Sequence, residues 1–125
     1  MICGIGVDLV TVSRIERAVH RFGDRFAERV YTSEERHMSK GQAMFLAGRF
    51  AIKEALLKAM GTGLAGGLRW RDIETITLPS GAPSIRCYGR VKHLLDARGI
   101  KNIWATLSHD KDHVVAVVLL EGALA

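Results

Sequence analysis

Three residues of this 125-residue chain, Asp8, Glu54 and Lys58, are of the types that phosphate chemistry uses. Asp8 and Glu54 are hard oxygen donors. A pair of carboxylates with a phosphorylated substrate completing the coordination shell suits magnesium. Lys58 follows Glu54 by one helical turn and can meet a phosphate on the same face. Arg49 and His109 can add charge for further phosphates. Plainer roles fit the same spacing: Glu54 and Lys58 as an i,i+4 surface pair, Asp8 as the cap of a turn.

Glu54 and Lys58 lie in the stretch Phe45 to Gly63, on which the rest of the chain depends. It has no proline, is rich in Ala, Leu, Lys and Glu, and ends in a glycine suited to a helix C-terminus, which predicts a helix from Met44 to Met60. At 100° per residue, Leu46, Phe50 and Leu57 share one side, while Ile52, Ala55, Leu56, Ala59 and Met60 spread over most of the rest. Such a helix is largely buried, so Arg49, Lys53, Glu54 and Lys58 must emerge along narrow seams or line a polar site.

Asp8 sits near the end of a predicted first strand, Ile2 to Val10. Alternation places Cys3, Ile5, Val7 and Leu9 on one face, expected to be the core face, and Gly4, Gly6 and Asp8 on the other, where the missing side chains leave room for a close approach. Ser13-Arg14-Ile15-Glu16 has the form of a capping box and predicts a helix from Ser13. On it Arg14, Arg17 and Arg21 share an arc beside an apolar stripe of Ile15, Val19 and Phe22, a surface for an acidic partner. Short helical turns are expected over 25–30 and after Thr32 or Ser33, and a glycine-rich loop over Gly61 to Gly67. Beyond it lie a hairpin of Trp70 to Leu78 with Ser84 to Tyr88, a helix over Gly89 to Arg98, and two strands, Ile103 to Ser108 and His113 to Leu120. The order suggests a single α+β domain spanning residues 1–125.

Hydrophobic residues at 48% argue for a folded chain, and a net charge of +5 favours polyanionic partners. No apolar run approaches the roughly 18 to 20 residues of a membrane span, so no membrane association is expected. Met1-Ile2-Cys3-Gly4 does not read as a secretory leader, and Cys3 and Cys87 are isolated, so reduced thiols in the cytoplasm are expected.

The chain resembles the holo-acyl-carrier-protein synthase family, the small bacterial 4′-phosphopantetheinyl transferases. The resemblance is carried by Gly4-Ile5-Gly6-Val7-Asp8-Leu9-Val10 with Arg14-Ile15, and by Arg49-Phe50-Ala51-Ile52-Lys53-Glu54-Ala55 with Lys58-Ala59 and Gly61-Thr62-Gly63. Trp70, Asp72-Ile73-Glu74, Gly81-Ala82-Pro83 and Leu107-Ser108-His109 follow in order. The resemblance implies an antiparallel sheet wrapped around a long central helix. It implies transfer of the 4′-phosphopantetheine arm of coenzyme A to a serine of apo-acyl carrier protein, with release of adenosine 3′,5′-bisphosphate, in fatty acid biosynthesis. Asp8 and Glu54 match magnesium ligands, and Lys58 matches a phosphate contact. Glu54 is the candidate base for the serine. Arg49 and His109 match positions near the 3′-phosphate, and Gly61, Thr62 and Gly63 a loop beside coenzyme A. The helix carrying Arg14, Arg17 and Arg21 matches the one that docks the carrier protein, and a homotrimer is implied. At Ala82 the family often has a basic residue before the proline, so a phosphate or partner contact from that turn is not expected here.

Two other classes share some of these features. A metal-dependent phosphodiesterase or nuclease uses the same Asp, Glu and Lys around magnesium. A non-enzymatic nucleic-acid-binding module suits the positive charge, but the basic residues lack interleaved aromatics, which make up only 6% of the chain.

Overall fold

The computed structural model describes residues 1–123. The elements run β1 (Ile2–Thr11), α1 (Val12–Phe22), α2 (Asp24–Val30), α3 (Ser33–Ser39), α4 (Ala43–Met60), a 3-10 turn (Trp70–Asp72), β2 (Ile73–Thr77), β3 (Pro83–Cys87), α5 (Gly89–Ala97), β4 (Ile100–His109) and β5 (His113–Gly122). The arrangement is mixed α and β with antiparallel sheets. β1, β5 and β4 form one sheet in that order, and β2 and β3 a hairpin. No helix among the described residues is long and apolar enough to cross a membrane.

The central helix forms where composition places it, one residue earlier than expected. It stops at Gly61, whose φ of 74° puts it in the left-handed region and lets its N–H reach the carbonyls of Leu57 and Lys58. Ala47, Ala51, Ile52, Ala55, Leu56 and Leu57 are buried along it, packed against Val114, Ala116, Val118 and Leu120 on the inner face of β5. α1 and α3 and the β2–β3 hairpin cover its other sides.

β1 packs with the opposite face to the one alternation suggests. Ile5, Val7 and Leu9 are exposed, at 66%, 53% and 65%, while Gly4, Gly6 and Val10 point inward. The reason lies in α4: a Cβ on Gly4 would overlap the carbonyl oxygen of Ala59, and one on Gly6 that of Ala55. The room left by the two glycines is filled by helix backbone, not by a ligand. Strand and helix therefore meet main chain to main chain, and Asp8, the next inward position, is carried to the helix surface.

Two further boundaries differ from expectation. α1 starts at Val12, with Thr11 as N-cap and no side-chain cap; the Val12 N–H bonds the Asp112 carbonyl at 2.8 Å, so Ser13 lies inside the helix and no box forms there. The capping box is instead at α3, where Thr32 Oγ1 accepts from the Glu35 N–H and Glu35 accepts from the Thr32 N–H. The stretch from Trp70 begins as a 3-10 turn, and Ile73 and Thr75 form the buried face of β2, with Ile76 half-buried and Leu78 exposed.

Candidate active site

Asp8, Glu54 and Lys58 come together where β1 crosses the C-terminal half of α4. Lys58 Nζ donates to Asp8 Oδ1 at 2.9 Å and to the Val7 carbonyl at 3.0 Å. The i,i+4 partner, Glu54, is thus not the one Lys58 chooses. The Asp8 side chain is 13% exposed, and its second oxygen, Oδ2, is buried with no partner. Burial raises the Glu54 carboxyl above the ordinary carboxylate range, the Asp8 charge pushes the same way, and Arg14 and Lys58 oppose. The Asp8 charge reaches Glu54, and despite Lys58 on Oδ1 the buried Oδ2 of Asp8 has no partner, so the site can accept a further positive charge. These donors fit a small hard dication. They are a pair: among the described residues no group of three or more His, Cys, Asp or Glu is gathered as metal ligands.

The raised Glu54 has a thermodynamic consequence. A carboxyl whose folded-state pKa exceeds its unfolded one contributes stability that is full below the unfolded pKa and lost as pH rises through the folded one. At neutral pH the ionised Glu54 therefore costs stability in the metal-free protein. Glu54→Gln should raise the melting temperature at neutral pH and lose that advantage under acid conditions, where Glu54 is protonated as well. Melts across pH test this; a variant no more stable than wild type at neutral pH refutes it.

Arg49 lies toward the N-terminus of α4 and is buried. Its guanidinium stacks over Phe45, with Cζ 4.1 Å from the ring centroid, and Nη2 donates to Thr77 Oγ1 at 2.5 Å. Nε is buried without a partner. Burial lowers its pKa and the Glu35 charge opposes that. Gly61, Thr62 and Gly63 begin the loop after α4, and the Thr62 hydroxyl is likewise buried and unpartnered. His109 ends β4, in register with Val114 of β5, which pairs in turn with Val10. It is exposed, two strands across from β1, and the fold does not bring it to the Asp8 pair within one chain.

Arg14 is nearer the chemistry than its place on a basic helix face implies. Its guanidinium lies 5.2 Å from the centroid of the Phe50 ring, one turn before Glu54. Phe50 in turn packs on Trp70, centroids 5.2 Å apart. Arg14, Arg17 and Arg21 line a shallow groove along α1 of about 880 Å³, together with the exposed Phe22.

Lys53 and Glu35 form a pair that no local sequence pattern marks. Both side chains are fully buried, with Lys53 Nζ 2.8 Å from Glu35 Oε1. The ammonium also donates to the Trp70 carbonyl at 3.0 Å and to that of Ile73. Glu35 accepts in addition from the Thr32 and Thr75 N–H groups. Burial lowers the Lys53 pKa, and Glu35 opposes it. The available signal was a lysine on a helix too buried to hold one alone.

A family model for the 4′-phosphopantetheinyl transferase superfamily matches residues 4–118, nearly the whole chain. The holo-[acyl-carrier-protein] synthase of Nitratidesulfovibrio vulgaris is 44% identical over 123 residues, covering 97% of this chain and 99% of the relative. The chain belongs to this superfamily and is an enzyme of its holo-[acyl-carrier-protein] synthase branch. Among solved structures, the synthase from Neisseria meningitidis superposes with a TM-score of 0.90 at 37% identity, covering 97% of this chain and 99% of that one. The synthase from Helicobacter pylori, in complex with coenzyme A, gives a TM-score of 0.85 at 36% identity, covering 94% and 99%. The transferase fold is thus the arrangement seen here, a long helix wrapped by antiparallel strands, with β1 laid against it through Gly4 and Gly6.

Proposed function

We propose that this transferase moves the 4′-phosphopantetheine arm of coenzyme A onto a serine of apo-acyl carrier protein in a magnesium-dependent reaction, in the cytoplasm and in support of fatty acid synthesis. The observation that carries the reading is the Asp8–Glu54 pair, with a buried carboxylate oxygen that no protein group satisfies. Its kinship with synthases, one of them solved in complex with coenzyme A, supports the choice of substrate.

Asp8 and Glu54 would hold the ion, which when bound neutralises charge on the diphosphate. Lys58, on the same helix face as Glu54 and half exposed, would contact the phosphates. Arg49, His109 and the Gly61–Thr62–Gly63 backbone would hold the rest of coenzyme A. Glu54 would take the serine proton. The serine oxygen bonds to the pantetheine-side phosphorus, the anhydride P–O bond breaks, and its electron pair leaves on adenosine 3′,5′-bisphosphate. Mass spectrometry of apo-carrier protein incubated with coenzyme A, magnesium and this protein tests the reaction. A gain of one phosphopantetheine group is expected; an unmodified carrier overturns it.

The carrier is an acidic protein on this reading, and Arg14, Arg17 and Arg21 would dock it. Because the Arg14 charge reaches Glu54, the cleaner reversal is Arg17→Glu with Arg21→Glu. Rim charges act mainly on association, and screening shortens to about 8 Å at physiological ionic strength. The KM for carrier protein should rise on the order of tenfold or more while that for coenzyme A stays put. Added salt should weaken the wild type and not the variant. An unchanged carrier KM removes α1 as the docking face.

A homotrimer completes the proposal. Ile5, Leu119 and Trp104 lie side by side across the outer sheet face, as do Val7, Val117 and Thr106. An apolar face of this kind is covered in a stable assembly. His109, remote from Asp8 in its own chain, would then serve a neighbour's site. Light scattering should give three times the chain mass; a monomer at micromolar concentration rejects it.

A further inference from the structure

The loop between α4 and the 3-10 turn is the least regular part of the candidate site, and something must hold its far end. It leaves α4 at Gly61 and reaches Trp70 nine residues later. Its glycines at 61, 63, 66 and 67 all have positive φ, and Leu68 reaches the core, so packing pins the loop at one point and hydrogen bonds must hold the rest. Thr62 and Gly63 donate back to the Leu57 carbonyl of α4, and within the loop Leu68 donates to that of Ala65. From outside, Arg90 Nε donates to the Gly66 carbonyl at 2.5 Å and Arg98 Nη1 to that of Met60 at 2.5 Å.

The C-terminal end is tied differently, by the Lys53 ammonium on the carbonyls of Trp70 and Ile73. Lys53 lies seven residues, about two turns or roughly 10 Å, back from Met60. The loop is thus forced to double back along the helix it has just left. Glu35 completes the anchor, since its other contacts bind it to the Thr32 cap and to the β2 backbone at Thr75. Three ammonium donors have three acceptors, and none is exposed.

We infer that Lys53, held by Glu35, is a positioning residue that staples the glycine loop for coenzyme A binding. It touches no substrate. It sets where the amides of Gly61, Thr62 and Gly63 stand by fixing the return path of the loop against α4. The inference rests on the proposed coenzyme A site but makes a claim about the loop that can be read without it.

The test compares wild type with Lys53→Met/Glu35→Gln, which removes both charges at similar volume and leaves no buried ion unpaired. In wild type the hydrogen-bonded loop amides of Thr62, Gly63 and Leu68 should exchange slowly; in the variant these should exchange about tenfold or more faster, with α4 and β5 still protected. With coenzyme A as varied substrate, KM should rise about tenfold, kcat should change less than about threefold, and the KM for carrier should not move. A purely structural role would lower the active fraction, hence kcat, with KM for coenzyme A unchanged. If the double variant does not fold, Lys53→Gln/Glu35→Gln, which keeps a neutral donor near the carbonyls and leaves no buried ion, should give a smaller shift in the same two readouts. Loop protection and coenzyme A KM both at wild-type values in a folded variant overturn the staple. Accelerated loop exchange in a protein that binds no coenzyme A would sustain the staple and refute the proposed substrate instead.

Discussion

Asp8→Ala and Glu54→Ala are each expected to reduce phosphopantetheine transfer by at least about 10³-fold, because charge stabilisation by a bound metal is worth several kcal/mol and each ~1.4 kcal/mol is a factor of ten. The proposed donor set among the described residues is the two carboxylates of Asp8 and Glu54, so loss of either halves it. Neither change should unfold the chain: Asp8 forfeits one ion pair to a lysine that is about half exposed, worth about 1 kcal/mol or less. Glu54→Ala removes a carboxyl whose ionisation already opposes folding. The two variants should therefore melt within a few degrees of wild type and require far more magnesium for any residual turnover. Near-wild-type rates in either folded variant at ordinary magnesium would remove both residues from the metal site.

Gly6→Ala should produce the largest loss of stability from a single methyl group. Its Cβ would fall on the Ala55 carbonyl oxygen and 2.7 Å from the Ala59 nitrogen, and helix backbone cannot rotate away as a side chain can. Separating β1 from α4 should cost about 3 kcal/mol or more, a fall in Tm on the order of 10 °C. It should also pull Asp8 away from Glu54, so that the magnesium requirement rises in whatever remains folded. Gly48→Ala is the control. A Cβ there meets only the Leu107 and Val114 side chains at 3.6 and 3.9 Å, and with the backbone helical the change should stabilise by about 0.5–1 kcal/mol. Equal melting temperatures for the two variants would show that the close strand–helix contact does not control the fold.

The contrast between these glycines also shows what sequence reading could reach. The α4 boundaries, the loop after it and the strands of the second hairpin follow from local chemistry: composition, a left-handed stop, alternation. Alternation along β1 correctly divides Ile5, Val7 and Leu9 from Gly4, Gly6 and Asp8, but period alone does not say which set faces in. Here the usual preference fails because the inner layer is helix backbone. Ser13 has capping chemistry in its favour, yet the backbone contact of Val12 with Asp112 starts α1 earlier. The Lys53–Glu35 pair joins α3 to α4 across 18 residues, and no local pattern encodes it. Removing either partner alone would strand a buried charge at about 3–5 kcal/mol. The spacing of Glu54 and Lys58 on one helix is local and legible, whereas the pairing of Lys58 with Asp8 depends on β1 crossing α4 and is not.

The outward-facing row on β1 sets a solubility condition for the chain. Among the described residues β1 is an edge strand, paired only with β5, so its open side offers unpaired N–H and C=O groups beside Ile5, Val7 and Leu9. A strand that is extended, apolar and hydrogen-bond hungry is a template for uncontrolled β-pairing. Lysine and proline, the usual guards of such edges, are absent from Ile2–Thr11. In the proposed homotrimer, a subunit released by dilution or mild denaturant would then partition between reassembly and aggregation, and the speed with which newly made chains find one another would govern the yield of usable protein.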